Sequence, residues 1–271
     1  MRIGVAATAP LGADVLERLA GKHDVAFLLT RPDRPQGRGR KVGAPPAKEV
    51  GERLGIDVRQ PEKLDESLEL GVVEAMVVAA YGALIPGSLL ERTLWLNVHP
   101  SLLPRWRGAA PVERAIMAGD TETGVTIHRT TPELDAGPIS AQQPFAIEPD
   151  DDAGEVYAKA GPLAAELLQP ALQGRATFEP QPEEGATYAE RLTAADRELD
   201  WTRPAEENLN RIRALSPHIG ARGVVDGRPL IVWRARPGGG DLAAGGLELL
   251  EVQPEGRKRM SAAEYLRGLR T

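Results

Sequence analysis

The chain begins with two short apolar runs, and the segment between them has the spacing of a helix. Residues 2–7 and 25–29 are small apolar runs, and residues 12–21 between them repeat their apolar positions with the period of a helix. A strand, a helix and a second strand in this order form a βαβ unit, whose strands lie parallel. The pattern therefore predicts an α/β fold with a Rossmann-like, mostly parallel sheet in the N-terminal part.

The same patterns continue through the first two thirds of the chain. Apolar runs predict further strands near Val58 and at 74–80, 95–98, 124–129 and 140–147. Helical spacing predicts helices at 47–54, 64–70, 111–118 and 153–172. The loop at 30–46 is long for a connection inside a compact domain, and such loops often carry function.

The last third of the chain has a different pattern. A polar, proline-rich stretch near 175–185 predicts a linker. It is followed by a predicted helix at 205–214, short strands at 223–225, 229–234 and 247–252 with glycine-rich connections, and a last helix at 262–269. We therefore expect a domain at 1–175, a linker at 176–187 and a small β-rich domain at 188–271.

Two polar residues, Asn97 and His99, occupy the end of the strand predicted at 95–98. Because they are two positions apart, their side chains point to the same side of an extended chain. The carboxyl edge of a parallel sheet is where open α/β folds bind ligands. An amide donor beside an imidazole suits a carbonyl whose oxygen becomes negative under attack. A turn-closing asparagine and a hydrogen-bonded histidine would give the same pattern.

A carboxylate follows in the loop at 132–139, between two predicted strands. Asp135 is far from His99 in sequence, and the fold could still bring the two together. A carboxylate near a histidine fixes the tautomer of the ring and raises its basicity. An ordinary solvated loop aspartate is equally compatible with this position.

The distribution of charge adds a candidate binding surface. The net charge of the 271-residue chain is −6, which excludes a wholly basic coat for nucleic acid. Residues 31–41 nevertheless carry five basic side chains against one acidic, and residues 201–236 carry seven against three. Two basic patches on an acidic protein fit a polyanion that docks in one orientation, although solvated surface charge gives the same pattern.

Several classes of site are excluded by what the sequence lacks. There is no cysteine, which excludes disulfides, thiolate metal sites and a cysteine nucleophile. Neither G-x-G-x-x-G nor G-x-x-x-x-G-K-[ST] is present, so the two strongest nucleotide-binding motifs are missing. The chain has no run of 18 apolar residues and no signal peptide, so we expect a soluble, cytoplasmic protein that does not bind a membrane.

Several segments of the chain, including the one that contains Asn97 and His99, resemble those of a known family. The segment 97–104, Asn-Val-His-Pro-Ser-Leu-Leu-Pro, is similar to the signature of the 10-formyltetrahydrofolate-dependent formyltransferases. Its continuation at 105–111 resembles the methionyl-tRNA formyltransferase branch more narrowly. Similar matches to that branch occur at 32–41, 80–82, 122–127, 200–201, 212–214 and 252–254. The resemblance covers nearly the whole chain.

The resemblance implies roles for individual residues. Asn97, His99 and Asp135 fall on the catalytic trio of the family, and residues 134–137 match its L-D-x-G loop. The implied folate-binding segment consists of Ser101, Leu102, Leu103 and Pro104. The implied contacts to tRNA come from the loop at 31–41 through Arg34, Arg38, Arg40 and Lys41, with Arg38 as the foremost contact.

The resemblance also implies an activity. The family transfers the formyl group of 10-formyltetrahydrofolate to the amino group of methionyl initiator tRNA, producing formylmethionyl-tRNA for translation initiation, without a metal. For this chain it implies a catalytic domain at 1–175 and an OB-like tRNA-binding domain at 188–271, and we expect a monomer. The second domain is short between Arg234 and Gly246, and the segment 7–11 departs from the family pattern.

Two other functions remain open at this point. The first is an N-formyltransferase for an amino-sugar nucleotide, which the arginine-rich loop at 31–41 disfavours. The second is a non-catalytic RNA-binding relative, which the complete trio of Asn97, His99 and Asp135 disfavours.

Overall fold

The computed structural model describes residues 1–36 and 41–269. The chain packs into two compact units. Unit 1 comprises Met1–Ala109, Gly124–Phe145 and Tyr157–Tyr188, and unit 2 comprises Ala110–Thr123, Ala146–Val156 and Ala189–Thr271. The division predicted from the sequence, with domains at 1–175 and 188–271 and a linker at 176–187, stays a prediction.

The elements up to residue 172 are β1 (Arg2–Ala7), α1 (Pro10–Ala20), β2 (Asp24–Leu29), β3 (Arg34–Gln36), β4 (Lys41–Gly43), α2 (Pro46–Arg53), β5 (Asp57–Arg59), β6 (Ala75–Ala79), α3 (Gly87–Leu90), β7 (Leu94–His99), β8 (Arg107–Gly108), α4 (Pro111–Met117), β9 (Glu122–Arg129), β10 (Ile139–Ala146) and α5 (Ala153–Leu172). The remaining elements are β11 (Tyr188–Ala189), a 3₁₀ turn (Ala195–Arg197), α6 (Ala205–Leu215), β12 (Ala221–Val225), β13 (Arg228–Pro237), β14 (Ala243–Ala244), β15 (Leu247–Pro254), β16 (Met260–Ser261) and α7 (Ala262–Leu269).

A seven-stranded sheet with the order β10-β9-β7-β6-β1-β2-β5 forms the centre of unit 1. The strands from β7 to β5 are parallel, and β9 pairs with β7 in the antiparallel direction. The prediction of an α/β, Rossmann-like, mostly parallel sheet is confirmed. The parallel strands are buried on both faces, as is usual for such sheets, and all five residues of β6 are buried.

The core of unit 1 divides between the two faces of this sheet. Along β1, Ile3 and Val5 belong to one apolar cluster, and Ala6 belongs to a second cluster that contains Trp95. This division follows from the alternation of side chains along a strand. Because the sheet is covered on both faces, polar groups at the carboxyl ends of its strands lie at the edge, where a site can form.

Unit 2 is built around a smaller sheet with the strand order β12-β13-β15-β14, and β16 pairs with β15. Its neighbouring strands run antiparallel, and a cluster that includes Ile212 of α6 packs with Val232 and Leu249. The expected β-rich character of this part of the chain is confirmed. The two-residue strands β14 and β16 lie in segments where the sequence predicted no strand.

Two local predictions need correction. Residues 64–70 form no helix, because the Asp65 carboxylate accepts hydrogen bonds from both the amide and the hydroxyl of Ser67 and so closes a turn that competes with helix formation. The loop predicted at 30–46 contains a hairpin, since β3 and β4 pair across it. Within the described residues, no helix has both the length and the apolar character needed to cross a membrane.

Candidate active site

The three residues expected to share a site lie in contact within unit 1. Asn97 and His99 are on β7, two positions apart, and Asp135 comes from the connection between β9 and β10. Asn97 Nδ2 donates a hydrogen bond of 3.0 Å to Asp135 Oδ1. His99 Nδ1 lies 3.6 Å from Asp135 Oδ2. The alternation of β7 and one loop are therefore enough to bring an amide, an imidazole and a carboxylate together.

Asp135 is held in an unusual backbone conformation. Its φ is 49°, in the left-handed region that non-glycine residues seldom adopt, and its side chain is only 8% exposed. The Gly108 amide donates to Asp135 Oδ2 at 2.9 Å. Two residues further, a Cβ on Gly137 would lie 1.8 Å from the Arg129 carbonyl oxygen, so only glycine fits there.

A side chain from the predicted linker secures this loop from outside. Gln181 Nε2 donates to the carbonyl of Asp135 at 2.8 Å and to the carbonyl of Gly137 at 2.7 Å. Its other end accepts a hydrogen bond of 3.1 Å from Nε of the buried Arg107. Neither residue was predicted for the site. Gln181 lies in a polar, proline-rich stretch whose pattern does not indicate which side chains are ordered, and Arg107 lies in the segment 105–111, where no separate role was predicted for it.

The geometry of His99 fixes the tautomer of its ring. Nε2 lies 2.8 Å from the carbonyl oxygen of Trp106. Because a carbonyl can only accept, Nε2 carries the hydrogen and donates it, and Nδ1 faces Asp135. Trp106 itself has a φ of 65°, and its amide donates to the Thr187 hydroxyl at 2.9 Å.

Burial and neighbouring charges set the protonation of the pair. Burial lowers the pKa of His99 below its ordinary value, and the charge of Asp135 offsets only part of that effect. Burial alone would raise the pKa of Asp135. The effect of burial is outweighed by the His99 and His128 imidazoles and by the hydrogen bond from the Gly108 amide, so the pKa of Asp135 lies below its ordinary value. Near neutral pH the site therefore holds a carboxylate beside a neutral imidazole.

A second histidine that the sequence analysis did not single out completes the cluster. His128 is 1% exposed and lies directly opposite Asn97 in the pairing of β9 with β7. Its Nε2 is 3.1 Å from Asn97 Nδ2 and 3.6 Å from Asp135 Oδ1. The available signal was the alternation of β9, in which Thr126 and His128 are polar positions on one face of a predicted strand.

The segment 101–104 is shaped by its own hydrogen bonds. Ser101 is fully buried, and its hydroxyl donates to the Arg105 carbonyl at 2.7 Å. The Thr126 hydroxyl donates to the carbonyl of Ser101 and accepts from the amide of Leu103, which is also buried. Leu102 and Pro104 are half-buried and present apolar surface. Contact of any of these four residues with folate stays a prediction.

Only the base of the arginine-rich loop falls within the described residues. Asp33 accepts hydrogen bonds of 2.7 Å from both Lys48 and Gln60, and the Lys48 bond in particular lowers the pKa of Asp33. Arg34 is exposed on β3. Arg38 and Arg40 lie outside the described residues, and Lys41 is described only by its backbone in β4. The base is thus anchored, and contact with tRNA stays a prediction.

The segment 7–11, which departs from the family pattern, joins three connections at the edge of the sheet. The Thr8 hydroxyl donates to the Tyr81 carbonyl at 2.9 Å, and the Thr8 carbonyl accepts from the amide of Ala47. Tyr81 is buried at 2% exposure. These bonds tie the end of β1 to the turn after β6 and to the start of α2.

The chemistry that the cluster can perform follows from its groups. The Asn97 amide and His99 Nε2–H are donors for an oxygen that gains negative charge, and the Asp135 carboxylate can take up a proton. Among the described residues, no group of three or more histidine, aspartate or glutamate side chains is arranged to hold a metal ion.

Comparison with known proteins supports a specific chemistry. The family profile "Formyl transferase" matches residues 1–172, and "Formyl transferase, C-terminal domain" matches residues 191–245. The chain is 40% identical over 283 residues to the methionyl-tRNA formyltransferase of Methylobacterium sp. (strain 4-46), covering 94% of this chain and 91% of that protein.

Solved structures share the fold. Methionyl-tRNA formyltransferase from Clostridium thermocellum superposes with a TM-score of 0.64 at 17% identity, covering 92% of this chain and 99% of that one. HypX from Aquifex aeolicus in complex with tetrahydrofolic acid gives a TM-score of 0.67 at 17% identity, covering 98% of this chain and 46% of that longer one. At such identities the likeness concerns the fold.

Proposed function

This chain belongs to the methionyl-tRNA formyltransferase family, and from that premise we propose how its site performs the transfer. The protein transfers a formyl group to the amino group of methionyl-tRNA. We propose that the formyl donor is 10-formyltetrahydrofolate and that the acceptor is the initiator tRNA. The observation that supports this best is the convergence of Asn97, His99 and Asp135 at the carboxyl edge of the sheet.

The first step needs donors for the formyl oxygen. Attack by the amine makes that oxygen negative, and Asn97 Nδ2 and His99 Nε2 each carry hydrogens to stabilise it. In the free protein these hydrogens are donated to His128, Asp135 and the carbonyl of Trp106. The substrate oxygen therefore replaces an existing acceptor, and the donors are already oriented before it arrives.

The second step needs a place for one proton. The attacking amine loses a proton as its bond to the formyl carbon forms, and the leaving nitrogen of the donor gains one as its bond to that carbon breaks. We propose that the Asp135 carboxylate accepts the first proton and shares it with His99 Nδ1, 3.6 Å away. The same pair then returns it to the leaving nitrogen, so the enzyme ends as it began.

Binding of the two substrates is assigned to separate segments. We propose that Ser101, Leu102, Leu103 and Pro104 form one wall for the folate, with Leu102 and Pro104 making the apolar contact. We propose that Arg34, Arg38, Arg40 and Lys41 contact tRNA phosphates. Support for the second assignment comes from the anchoring of Asp33 by Lys48 and Gln60, which gives the loop a fixed base.

The direct test is a transfer assay. The protein is incubated with 10-formyltetrahydrofolate and either methionylated initiator tRNA or an amino-sugar nucleotide, and formyl transfer is followed by mass spectrometry. Transfer to the tRNA alone supports the proposal. Transfer to the sugar nucleotide alone, or tRNA binding without transfer, would overturn it in favour of one of the two alternatives. Sedimentation velocity of the same sample tests whether the protein acts as a monomer.

The loop assignment has its own test. Replacing Arg34, Arg38, Arg40 and Lys41 together by alanine should raise KM for tRNA at least about tenfold and leave kcat within about twofold. The dependence of tRNA binding on salt should become shallower, with a slope reduced by up to about 0.9 for each duplex phosphate that the loop no longer neutralises. An unchanged slope would contradict phosphate binding by this loop.

A further inference from the structure

One buried titratable side chain of the site has no role in the mechanism above. His128 is 1% exposed, and its ring lies edge-on to that of His99, with 6.3 Å between the ring centroids. It belongs to β9 and faces Asn97 across the strand pairing, whereas the proposed reaction uses groups on β7 and on the loop of Asp135. A buried histidine placed this way can act through a neighbour without touching substrate.

The tautomer of His128 follows from its contacts. Nδ1 lies 3.0 Å from the carbonyl oxygen of Arg129, which can only accept, so Nδ1 carries the hydrogen. In the neutral ring, Nε2 is then a lone-pair acceptor. It lies 3.1 Å from Asn97 Nδ2 and accepts one of the two hydrogens of that amide. The other hydrogen goes to Asp135 Oδ1 at 3.0 Å.

These two acceptors decide how the Asn97 carboxamide is turned. With an imidazole lone pair on one side and a carboxylate on the other, Nδ2 must face both, and the amide oxygen must point away from them. If the amide rotated by half a turn, its oxygen would face the Asp135 carboxylate and the His128 lone pair, three acceptors together with no hydrogen between them. Without the lone pair of His128, only one of the two bonds that oppose rotation remains.

We propose that His128 is a positioning residue, whose Nε2 lone pair holds the Asn97 carboxamide so that the N–H donated to Asp135 Oδ1 in the free protein can be given to the formyl oxygen. This inference rests on the proposed function. It also explains why the histidine belongs to β9. The antiparallel register places residue 128 opposite residue 97, so no loop has to order for the contact to form.

The test compares two substitutions at one position. His128→Leu removes the acceptor, and kcat for formyl transfer to methionyl-tRNA should fall about 10- to 100-fold, as is typical when the partner that orients a reacting group is removed. KM for both substrates should stay within about twofold. His128→Gln offers a side-chain carbonyl near the position of Nε2, and it should recover most of the kcat. His23→Leu is the matched control, because His23 contacts Gln169 and should leave kcat unchanged.

A double-mutant cycle separates positioning from general stabilisation. In an Asn97→Ala background, His128→Leu should cost less than about twofold in kcat, because the group that it orients is already gone. A full additional loss in that background would overturn the proposal. So would equal losses of kcat in the Leu and Gln variants with a matching drop in Tm, since that result indicates packing alone.

The failure of this inference is distinguishable from failure of the proposed function. If the wild-type protein transfers formyl to methionyl-tRNA and His128→Leu is as fast as wild type, then the positioning role is wrong and the function stands. If the wild-type protein itself does not transfer formyl to methionyl-tRNA, then the proposed function is wrong and the inference falls with it.

Discussion

Two carboxylates, the half-buried Asp196 of unit 2 and the buried Asp135 of unit 1, show how the same group can be prepared for different tasks. Asp196 in unit 2 receives both ends of the Arg114 guanidinium at 2.6 and 3.2 Å, together with the amide and hydroxyl of Thr193. These bonds, the Arg114 bond first among them, lower the pKa of Asp196 to about 2. Asp135 in unit 1 instead receives the Asn97 and Gly108 N–H groups and lies 3.6 Å from two imidazoles.

The difference lies in what happens when a proton arrives. A permanent guanidinium charge makes protonation of Asp196 costly at any pH near neutrality, so this carboxylate is suited to holding structure together. The neighbours of Asp135 are neutral donors and titratable rings, so its charge can be lost and regained while its position is kept. The protein therefore separates a stabilising carboxylate from a reactive one by the choice of partner.

The largest effect is expected from Asp135→Asn. The substitution removes the proton acceptor and places an amide where two N–H donors, from Asn97 and Gly108, require an acceptor. We expect kcat to fall about 10³-fold or more while the circular dichroism spectrum stays native, and His99→Ala to cost a comparable amount. Formyl-transfer kinetics measure this. A loss of less than about tenfold in either variant would break the assignment.

The second expectation concerns the pH profile of kcat. In the free protein the pKa of His99 lies below its usual 6.5, so its ring is neutral at pH 7 and can share the proton taken by Asp135. As the pH falls through that lowered pKa, the ring becomes charged and kcat should fall, about tenfold per pH unit on the acid limb. An NMR titration of the His99 ring in the free protein should have its midpoint below 6.5, and a midpoint above that value would contradict the scheme.

The corresponding substitution in unit 2, Asp196→Asn, should lower stability and leave catalysis almost unchanged. It should leave kcat within about twofold and lower the free energy of unfolding by about 1 to 2 kcal/mol at pH 7. The sign follows from the pKa, which is about 2 in the folded protein and 3.8 ordinarily. The stabilisation is present above pH 3.8 and is lost as the pH falls towards 2.

Denaturant unfolding of wild type and Asp196→Asn at about pH 7 and about pH 3 measures this difference. The difference in the free energy of unfolding between the two proteins should be smaller at the lower pH. A gap that is independent of pH would show that the ionised carboxylate is not the source of the stability.

The smallest effect is expected at an exposed pair in the same unit. Arg236 contacts Glu248 at 2.6 Å, but the arginine side chain is 64% exposed. Solvent screens such pairs, so Arg236→Ala should change the free energy of unfolding by less than about 0.5 kcal/mol and leave kcat unchanged. A loss as large as that of Asp196→Asn, measured in the same unfolding experiment, would show that burial is not what separates the two pairs.

Much of the fold could be predicted because it depends on local patterns. The βαβ opening and the long helix at 153–172 were predicted from apolar spacing, and the structure contains both. The prediction of a helix at 64–70 was wrong, because a side chain that bonds to a nearby amide outweighed weak helical spacing there. The hairpin of β3 and β4 was missed, since pairing between residues such as Arg34 and Gly43 leaves no periodic signal.

The residues of the candidate site also fall into those that the sequence could predict and those that it could not. Asn97, His99 and Asp135 could be named because their residue types carry the chemistry and stand in recognisable motifs. The residues that orient them could not be named, because Gln181 is 46 positions from Asp135 and lies in a segment without regular structure. His128 stands in a predicted strand, but the sequence does not tell which residue it faces.

By itself, the amino-acid sequence determined most of the helices and strands, the family and the three groups that carry the proposed reaction, because each depends on residue type and short-range spacing. Only the tertiary structure decided which partners those groups have. The register of β9 against β7 places His128 opposite Asn97, and the left-handed backbone of Asp135 brings its carboxylate between the Asn97 and Gly108 N–H groups. Hydrogen bonds depend on distances of tenths of an ångström between residues far apart in the chain, and these distances exist only once the chain has folded.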